Sequence, residues 1–163
     1  MSSQPNGAWL TQDAYDRLVK ELAELEGPAR AEITERIAAA RDEGDLKENG
    51  GYHAAREEQG KMEARISDLQ RLLKNAVVGE APKDDGVVEQ GMVVGITMAG
   101  KERTFLLGNR EIADGRDDLE VYSSESPLGG AIHGSRVGDT VEYTAPNGKT
   151  FSIEILSATP YKA

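Results

Sequence analysis

The stretch that decides the fold is RDEGDLKENGGYH, at residues 41–53. Apolar residues on its two sides are spaced as if the chain folded back at its centre. The positions that pair are Ala40 with Tyr52, Ile37 with Ala55, Leu25 with Ile66, Leu22 with Leu69 and Leu18 with Leu73. The residue numbers in each pair sum to 91 or 92, and a constant sum is typical of an antiparallel helical hairpin. The sequence therefore predicts a long two-helix coiled-coil finger with its tip at about 43–50.

Helix-forming sequence lies on both sides of the predicted tip. The first helix is expected over about 12–42, with Thr11 as its N-cap. Gly27-Pro28 interrupts this helix, and because proline lacks an amide donor and clashes with the preceding turn, we expect a kink or short break there. The second helix is expected over about 51–76, where apolar residues follow the 3,4 spacing of a coiled-coil seam.

From Val77 onwards the spacing of apolar residues changes to period two, which is typical of strands. Strand candidates are 92–98, 102–107, 119–123, 141–144 and 150–156, with a further short one at 86–88. Ser126 as N-cap and Pro127 at the first helical position predict one short helix over 126–134. The predicted fold class is α+β: a coiled-coil finger at 1–78, whose first seven residues form a disordered tail, then a small antiparallel sheet domain at 79–163 that includes the one short helix.

Composition restricts the function further. The chain has 163 residues, no cysteine and a formal net charge of −10. The negative charge argues against a freestanding nucleic-acid binder, since such affinity comes largely from Lys and Arg neutralising phosphates. The amino terminus has no basic region followed by an apolar run, and no 18-residue apolar stretch occurs. We therefore expect a soluble, cytoplasmic monomer that does not bind membranes.

Two carboxylates stand out at the predicted tip. Asp45 and Glu48 are three residues apart, which on a helical turn places them on one side, while Gly44 and Gly50-Gly51 permit a sharp reversal. Leu46 is expected to turn inward and close the end of the apolar seam. Such a pair could ligate a hard cation, act in acid–base catalysis, or simply be solvated.

The chemistry of magnesium narrows these possibilities. Mg²⁺ keeps several waters and is usually held by one or two carboxylates plus substrate phosphates, so Asp45 and Glu48 cannot form a tight site alone. A thin finger also lacks a pocket that excludes water. The arrangement suits delivery of carboxylates into the active site of another protein.

The tip sequence resembles that of a known family. DLKEN at 45–49, followed by YHAAREEQG at 52–60, resembles the signature of the bacterial Gre transcript cleavage factors. The resemblance covers nearly the whole chain. It includes WLT at 9–11, AR at 40–41, SPLG at 126–129 and VGD at 137–139. One departure is Gly50-Gly51, where many relatives have Ala-Glu, and the two glycines lower helix propensity at the start of the second helix.

The resemblance implies a finger that enters the secondary channel of RNA polymerase and a second domain, similar to the immunophilin prolyl isomerase fold, that docks at the channel mouth. It implies that Asp45 and Glu48 help the polymerase hold its second Mg²⁺ and activate hydrolysis of backtracked RNA. The chain would then need no cofactor of its own and would not be an enzyme by itself.

The resemblance also implies secondary sites. Arg41 and Arg56 are candidates for contact with the 3′ end of the nascent RNA; otherwise they are surface arginines paired with neighbouring Glu. Ser126 and Pro127 are polymerase-docking candidates as well as a helix start. His53 is expected to brace the tip through a hydrogen bond.

Three alternatives stay open. A secondary-channel inhibitor with the same fold would slow nucleotide addition without stimulating cleavage. An acidic coiled-coil adaptor would not bind polymerase. A self-contained metal-dependent hydrolase would cleave RNA with Mg²⁺ alone, although the sequence offers no His/Asp/Glu pocket for it.

Overall fold

The structure is a computed structural model that describes residues 7–162. It has the predicted α+β composition and divides into two compact units. One unit is Tyr15–Ala76; in the other, residues up to Ala14 group with the chain from Val77 onwards. The tail expected at 1–7 lies outside the described residues, apart from Gly7. None of the helices in 7–162 is long and apolar enough to cross a membrane.

The helical hairpin is built from three α-helices. Helix α1 is Gln12–Glu24, α2 is Arg30–Arg41 and α3 is Gly50–Asn75. The predicted cap of the first helix is confirmed, since the hydroxyl oxygen of Thr11 accepts a hydrogen bond from the Ala14 amide at 3.2 Å. The predicted second helix is confirmed to within one residue at each end.

The predicted interruption at Gly27-Pro28 takes the form of a π-helical turn, Leu25–Ala29. The flanking residues Glu24 and Arg30 keep right-handed helical backbone angles, so the backbone stays helical from α1 through the π turn into α2. A π turn accommodates Pro28, which has no amide hydrogen and whose ring would clash with an α-helical turn. The first helix is therefore locally widened here.

The hairpin is held together by an apolar seam and by polar pairs beside it. Ile33, Ile37 and Ala55 form a buried cluster against which Tyr52 and Met62 pack, as the pairing of apolar positions predicts. Polar links between the two arms are Arg65 with Glu21, Gln70 with Glu26, Arg30 with Glu63 and Arg36 with Glu58. From Glu26 through Arg30 to Arg36 the partner's number falls from 70 to 63 to 58, as it does between antiparallel arms, and only the Glu21–Arg65 pair among these four departs from that order.

A two-stranded parallel sheet in the second unit is absent from the sequence-based expectations. Strand β1, Trp9–Thr11, pairs with β2, Val77–Gly79. The indole of Trp9 lies so close to Gly79 that a β-carbon there would overlap it, so glycine is required. Because of this pairing, the boundary between the units falls at 76/77 and β1 groups with the carboxy-terminal part, whereas the sequence placed the boundary at 78/79.

The rest of the second unit is a five-stranded sheet with one short helix. Its elements are β3 Met92–Met98, β4 Lys101–Leu107, β5 Glu120–Tyr122, α4 Pro127–Ile132, β6 Thr140–Thr144 and β7 Thr150–Pro160. The strand order is β5-β4-β3-β7-β6. Neighbouring strands are antiparallel except β4 and β5, which are parallel, because the chain between them crosses over through a 3₁₀ turn at Arg110–Ala113 instead of a tight hairpin. The strand expected at 86–88 is only an isolated bridge between Val87 and Arg136.

Candidate functional site at the tip of the hairpin

The tip is the loop 42–49 that joins α2 to α3. The end of α2 tightens through hydrogen bonds from the Glu43 amide to the Ala40 carbonyl and from the Gly44 amide to the Arg41 carbonyl, both 3.2 Å. Gly44 then reverses the chain with a φ of +118°, a conformation that glycine adopts without the penalty of a side chain. The reversal predicted from the glycine is confirmed.

Asp45 and Glu48 both lie on this loop and are exposed, as the sequence predicts. The Asp45 Oδ1 atom accepts a hydrogen bond from the Lys47 amide at 3.0 Å, which forms a local turn and leaves Oδ2 available. No partner of the Glu48 side chain is found within residues 7–162. The loop therefore presents carboxylate oxygens to solvent.

Asn49 is the residue that sequence reasoning missed. Its Oδ1 accepts a hydrogen bond from the Tyr52 amide at 3.0 Å, and its Nδ2 donates to the Ala40 carbonyl at 2.6 Å. Asn49 thus caps α3 and also binds the end of α2. The cap was recognisable in the sequence, because asparagine is among the preferred N-cap residues and precedes the helix predicted from about Gly51.

The prediction for His53 is confirmed, and the prediction for Leu46 is wrong. The Nε2 atom of His53 lies 3.3 Å from the Lys47 carbonyl oxygen, so the imidazole braces the loop as expected. Leu46 is 39% exposed and does not turn inward. The end of the seam is instead formed by Tyr52, which packs against the buried cluster as its pairing with Ala40 predicts.

The two arginines proposed for RNA contact flank the loop. Arg41 is the last residue of α2, and its guanidinium carbon lies 6.0 Å from the centre of the Tyr52 ring. Arg56 lies in α3 and donates to Gln59 Oε1 at 3.0 Å. Neither arginine is in an ion pair within the described part of the chain.

The neighbouring glutamates explain why Arg56 lacks an acidic partner. Glu58 binds Arg36 at 2.9 Å and Glu57 lies 3.5 Å from Lys61, so each is committed to another cation. The alternative expectation, that Arg56 pairs with a neighbouring Glu, is therefore wrong. The arginine keeps its charge available at the surface.

Ser126 and Pro127 begin α4, as predicted. The Ser126 hydroxyl accepts from the Gly129 amide at 3.0 Å and donates to the Ser123 carbonyl at 2.6 Å. Pro127 is at the first turn, where its missing amide hydrogen costs nothing. The hydroxyl is thereby used in local structure, while Pro127 is exposed.

No group of three or more His, Asp or Glu side chains that could hold a metal ion occurs within 7–162. Two carboxylates on an exposed loop are hard oxygen ligands that fit Mg²⁺ in type, and the rest of the coordination would have to come from elsewhere. The fold and the tip define a class of protein: an α+β protein that exposes two carboxylates at the tip of a helical hairpin.

Comparison with known proteins specifies the family. Residues 8–78 match the family described as "Transcription elongation factor, N-terminal", and residues 82–160 match "Transcription elongation factor, GreA/GreB, C-term". The chain belongs to the GreA/GreB family of transcription elongation factors. The family resemblance of the tip sequence is therefore confirmed.

Two relatives with more than half of the aligned residues identical agree with this assignment. Transcription elongation factor GreA of Streptomyces coelicolor is 57% identical over 159 residues, which cover 96% of this chain and 95% of the relative. The GreA of Mycobacterium tuberculosis is 53% identical over 158 residues, covering 94% of each chain. Among solved structures, GreA factor homolog 1 of Thermus thermophilus matches 93% of this chain and 98% of its own at 27% identity, with a TM-score of 0.44.

Proposed function

We propose that this elongation factor inserts its helical hairpin into the secondary channel of RNA polymerase and stimulates the polymerase's own cleavage of backtracked nascent RNA. It acts as a monomeric cytoplasmic activator and is not an enzyme by itself. The family assignment supports RNA polymerase as the partner. The observation that carries the proposal is the exposure of Asp45 and Glu48 on the tip loop.

The carboxylates meet the requirements of such a role. Glu48 has no side-chain partner within 7–162, and Asp45 uses Oδ1 for the Lys47 amide while Oδ2 faces no described donor. Both side chains are thus available to an incoming cation without first breaking an ion pair. In the polymerase they would help to hold Mg²⁺, which supplies Lewis-acid activation of a water for phosphodiester hydrolysis.

The hairpin also supports a rigid presentation of these groups. Ile37 and Ala55 are buried at 5% and 2% exposure close to the tip, so the two backbones approach closely there. Asn49 and His53 add hydrogen bonds to Ala40 and Lys47. The loop that bears the carboxylates is therefore tied to both helices.

Arg41 and Arg56 are proposed to contact the 3′ end of the extruded RNA. Both are exposed and neither is neutralised by an acidic neighbour among the described residues. Arginine binds phosphate oxygens through two parallel hydrogen bonds, so an unpaired surface arginine is suited to this contact. Ser126 and Pro127 are proposed to lie on the surface that docks at the channel mouth.

The decisive experiment adds the purified protein to backtracked elongation complexes and measures short RNA fragments released from the 3′ end. The unaltered protein is expected to raise the cleavage rate, and Asp45→Asn with Glu48→Gln should abolish the increase while polymerase binding is retained. The matched control is Asp42→Asn with Glu43→Gln, which makes the same change in charge on the same loop and should cleave normally.

Other outcomes of this experiment identify the alternatives. Slower nucleotide addition without cleavage would assign the protein as a secondary-channel inhibitor. Equal cleavage by the Asp45/Glu48 variant and the control would show that the tip carboxylates do not act in the reaction. Cleavage of RNA with Mg²⁺ and no polymerase would indicate a self-contained hydrolase.

A further inference from the structure

Asn49 connects the two helices that carry the tip. Its Nδ2 donates to the Ala40 carbonyl in the last turn of α2, and its Oδ1 accepts from the Tyr52 amide in the first turn of α3. The two bonds are 2.6 Å and 3.0 Å long. One half-buried side chain thus binds both ends of the loop.

The orientation of the Asn49 amide follows from its partners. Tyr52 offers an amide hydrogen, which only the side-chain oxygen can accept, and Ala40 offers a carbonyl, to which only the NH₂ group can donate. The Ala40 carbonyl also accepts from the Glu43 amide at 3.2 Å, so both of its lone pairs are occupied. Ionised aspartate offers no donor, and the hydroxyl of serine or threonine, although it can both accept and donate, is on a shorter side chain than the asparagine amide.

The position of Glu48 depends directly on this arrangement. Glu48 immediately precedes Asn49, whose φ of −84° and ψ of 96° set the direction in which the loop enters α3. Within residues 7–162, the hydrogen bond from the Lys47 amide is the one contact that holds the Asp45 side chain. Without the bond to Ala40, the loop would still be joined covalently to α2 and α3. It would lose the hydrogen bond that fixes the distance between the end of α2 and the start of α3.

We propose that Asn49 is a positioning residue for the tip carboxylates: by binding Ala40 and Tyr52 together, it holds Glu48 and Asp45 in one orientation. This inference rests on the proposed function of the two carboxylates. Misplacing a catalytic group by about 1 Å can lower a rate by about 100-fold, so a loosened tip should be costly to cleavage.

Two variants separate positioning from helix capping. Asn49→Asp and Asn49→Ser both retain an oxygen that can cap α3, since Asp, Ser and Asn are comparable N-caps. Both remove the amide nitrogen that reaches Ala40. Asn49→Asp adds a negative charge near the tip and Asn49→Ser does not, so an effect shared by the two variants does not arise from charge.

The same helix provides a matched control. Asn75 is the last residue of α3, and its Nδ2 donates to the Arg71 carbonyl at 3.1 Å. Asn75→Asp and Asn75→Ser therefore make the same chemical changes and also remove a bond from an amide to a carbonyl. They lie at the other end of the helix, so they should leave the tip unchanged.

The first measurement uses ¹⁵N relaxation of the free protein. In both Asn49 variants, the backbone order parameters of residues 45–48 should fall below about 0.6, the range of flexible backbone, while those of α3 and of the Asn75 variants stay near 0.85. Unchanged order parameters at 45–48 in the Asn49 variants would overturn the inference.

The second measurement is cleavage by backtracked complexes as a function of factor concentration. The Asn49 variants should lower the rate at saturating factor by about 10-fold or more, with the half-saturating concentration changed by less than about 2-fold. A normal saturating rate, or a loss seen only in the half-saturating concentration, would show that Asn49 does not position the carboxylates. If the unaltered protein does not stimulate cleavage, the proposed function fails, while the order parameters still decide whether Asn49 holds the tip.

Discussion

Glu21 and Arg65 are joined by two parallel hydrogen bonds, from Nε to Oε2 at 2.8 Å and from Nη2 to Oε1 at 3.0 Å. They connect α1 to α3 far from the tip. The bond from Arg65 is the main cause that lowers the pKa of Glu21 below its ordinary value of 4.5, and partial burial of the carboxyl opposes it. Because the ion pair connects two arms of the hairpin, it links protonation to stability.

The first prediction concerns this dependence on pH. Since the folded pKa of Glu21 is lowered, the unfolded chain binds the proton first as pH falls, and the stabilisation is complete above about pH 4.5 and lost below it. Glu21 and Arg65 are 37% and 35% exposed, so solvent screening limits the contribution to about 1 kcal/mol or less. The measurement is urea unfolding between about pH 3 and 7, a range that brackets the ordinary carboxyl pKa of about 4.5. In Arg65→Ala, the loss of stability that the ion pair causes at low pH should be absent.

A control for this measurement is Glu24→Gln in the same helix. Glu24 is exposed and has no ion pair within the described residues, so its substitution should change the free energy of unfolding little. Glu21→Gln should instead behave as Arg65→Ala does. If all three variants track the unaltered protein in parallel, the ion pair does not contribute to the pH dependence.

The second prediction concerns the close approach of the helices near the tip. Ala55 is 2% exposed and packs against Ile33 and Ile37, so Ala55→Leu forces additional volume between the two arms. We expect a loss of about 1–3 kcal/mol in the free energy of unfolding, together with slower cleavage because the tip is displaced. Ala54→Leu, an exposed position one residue away, should change stability by less than about 0.5 kcal/mol. Equal stability of the two variants would mean that the seam is loose at Ala55.

The third prediction concerns the unpaired arginines. Arg41→Gln and Arg56→Gln should each weaken binding to backtracked complexes and reduce the magnitude of the slope of log affinity against log salt by about 0.7, the value for one contact to a single-stranded phosphate. Binding to polymerase without extruded RNA should be unaffected. Arg71→Gln, whose side chain is already paired with Asp68, is the control. An equal loss with and without extruded RNA would assign the arginines to the polymerase instead.

The fourth prediction concerns the start of α4. Gly129 is buried, and a β-carbon there would overlap the carbonyl oxygen of Ser123, to which the Ser126 hydroxyl donates. Gly129→Ala should therefore destabilise the protein by about 1–3 kcal/mol and weaken polymerase binding. Gly130 is exposed and its added β-carbon would lie 3.5 Å from the nearest atom, so Gly130→Ala should be neutral or stabilising by up to about 1 kcal/mol. Thermal unfolding and a polymerase-binding titration measure both effects.

The sequence predicted the hairpin well because its signals are periodic or local. The pairing of Ile37 with Ala55 follows from apolar spacing, and the cap at Thr11 follows from residue type; both are present in the structure. The glycine at 44 also predicted a reversal that the backbone requires. These features depend on a few neighbouring residues and a helical period, so one sequence is enough to find them.

Short strands and the crossover between strands were harder to predict from the sequence. Strands β1 and β2 have three residues each, too few for a recognisable alternation, and the whole helical hairpin separates them in the sequence. The parallel pairing of β4 with β5 also depends on how the intervening turn folds back. The immunophilin-like character of the second unit stays a prediction.

The sequence by itself determined where the helices lie, which apolar face is buried, and that Asp45 and Glu48 come at the reversal, because helix period and turn chemistry are local. Only the tertiary structure decided that Asn49 reaches the Ala40 carbonyl, that Glu57 and Glu58 pair with cations other than Arg56, and that Leu46 stays exposed. Each of these depends on the distance between groups that are brought together by the fold, since a hydrogen bond or ion pair forms only within a few tenths of an ångström of its preferred length.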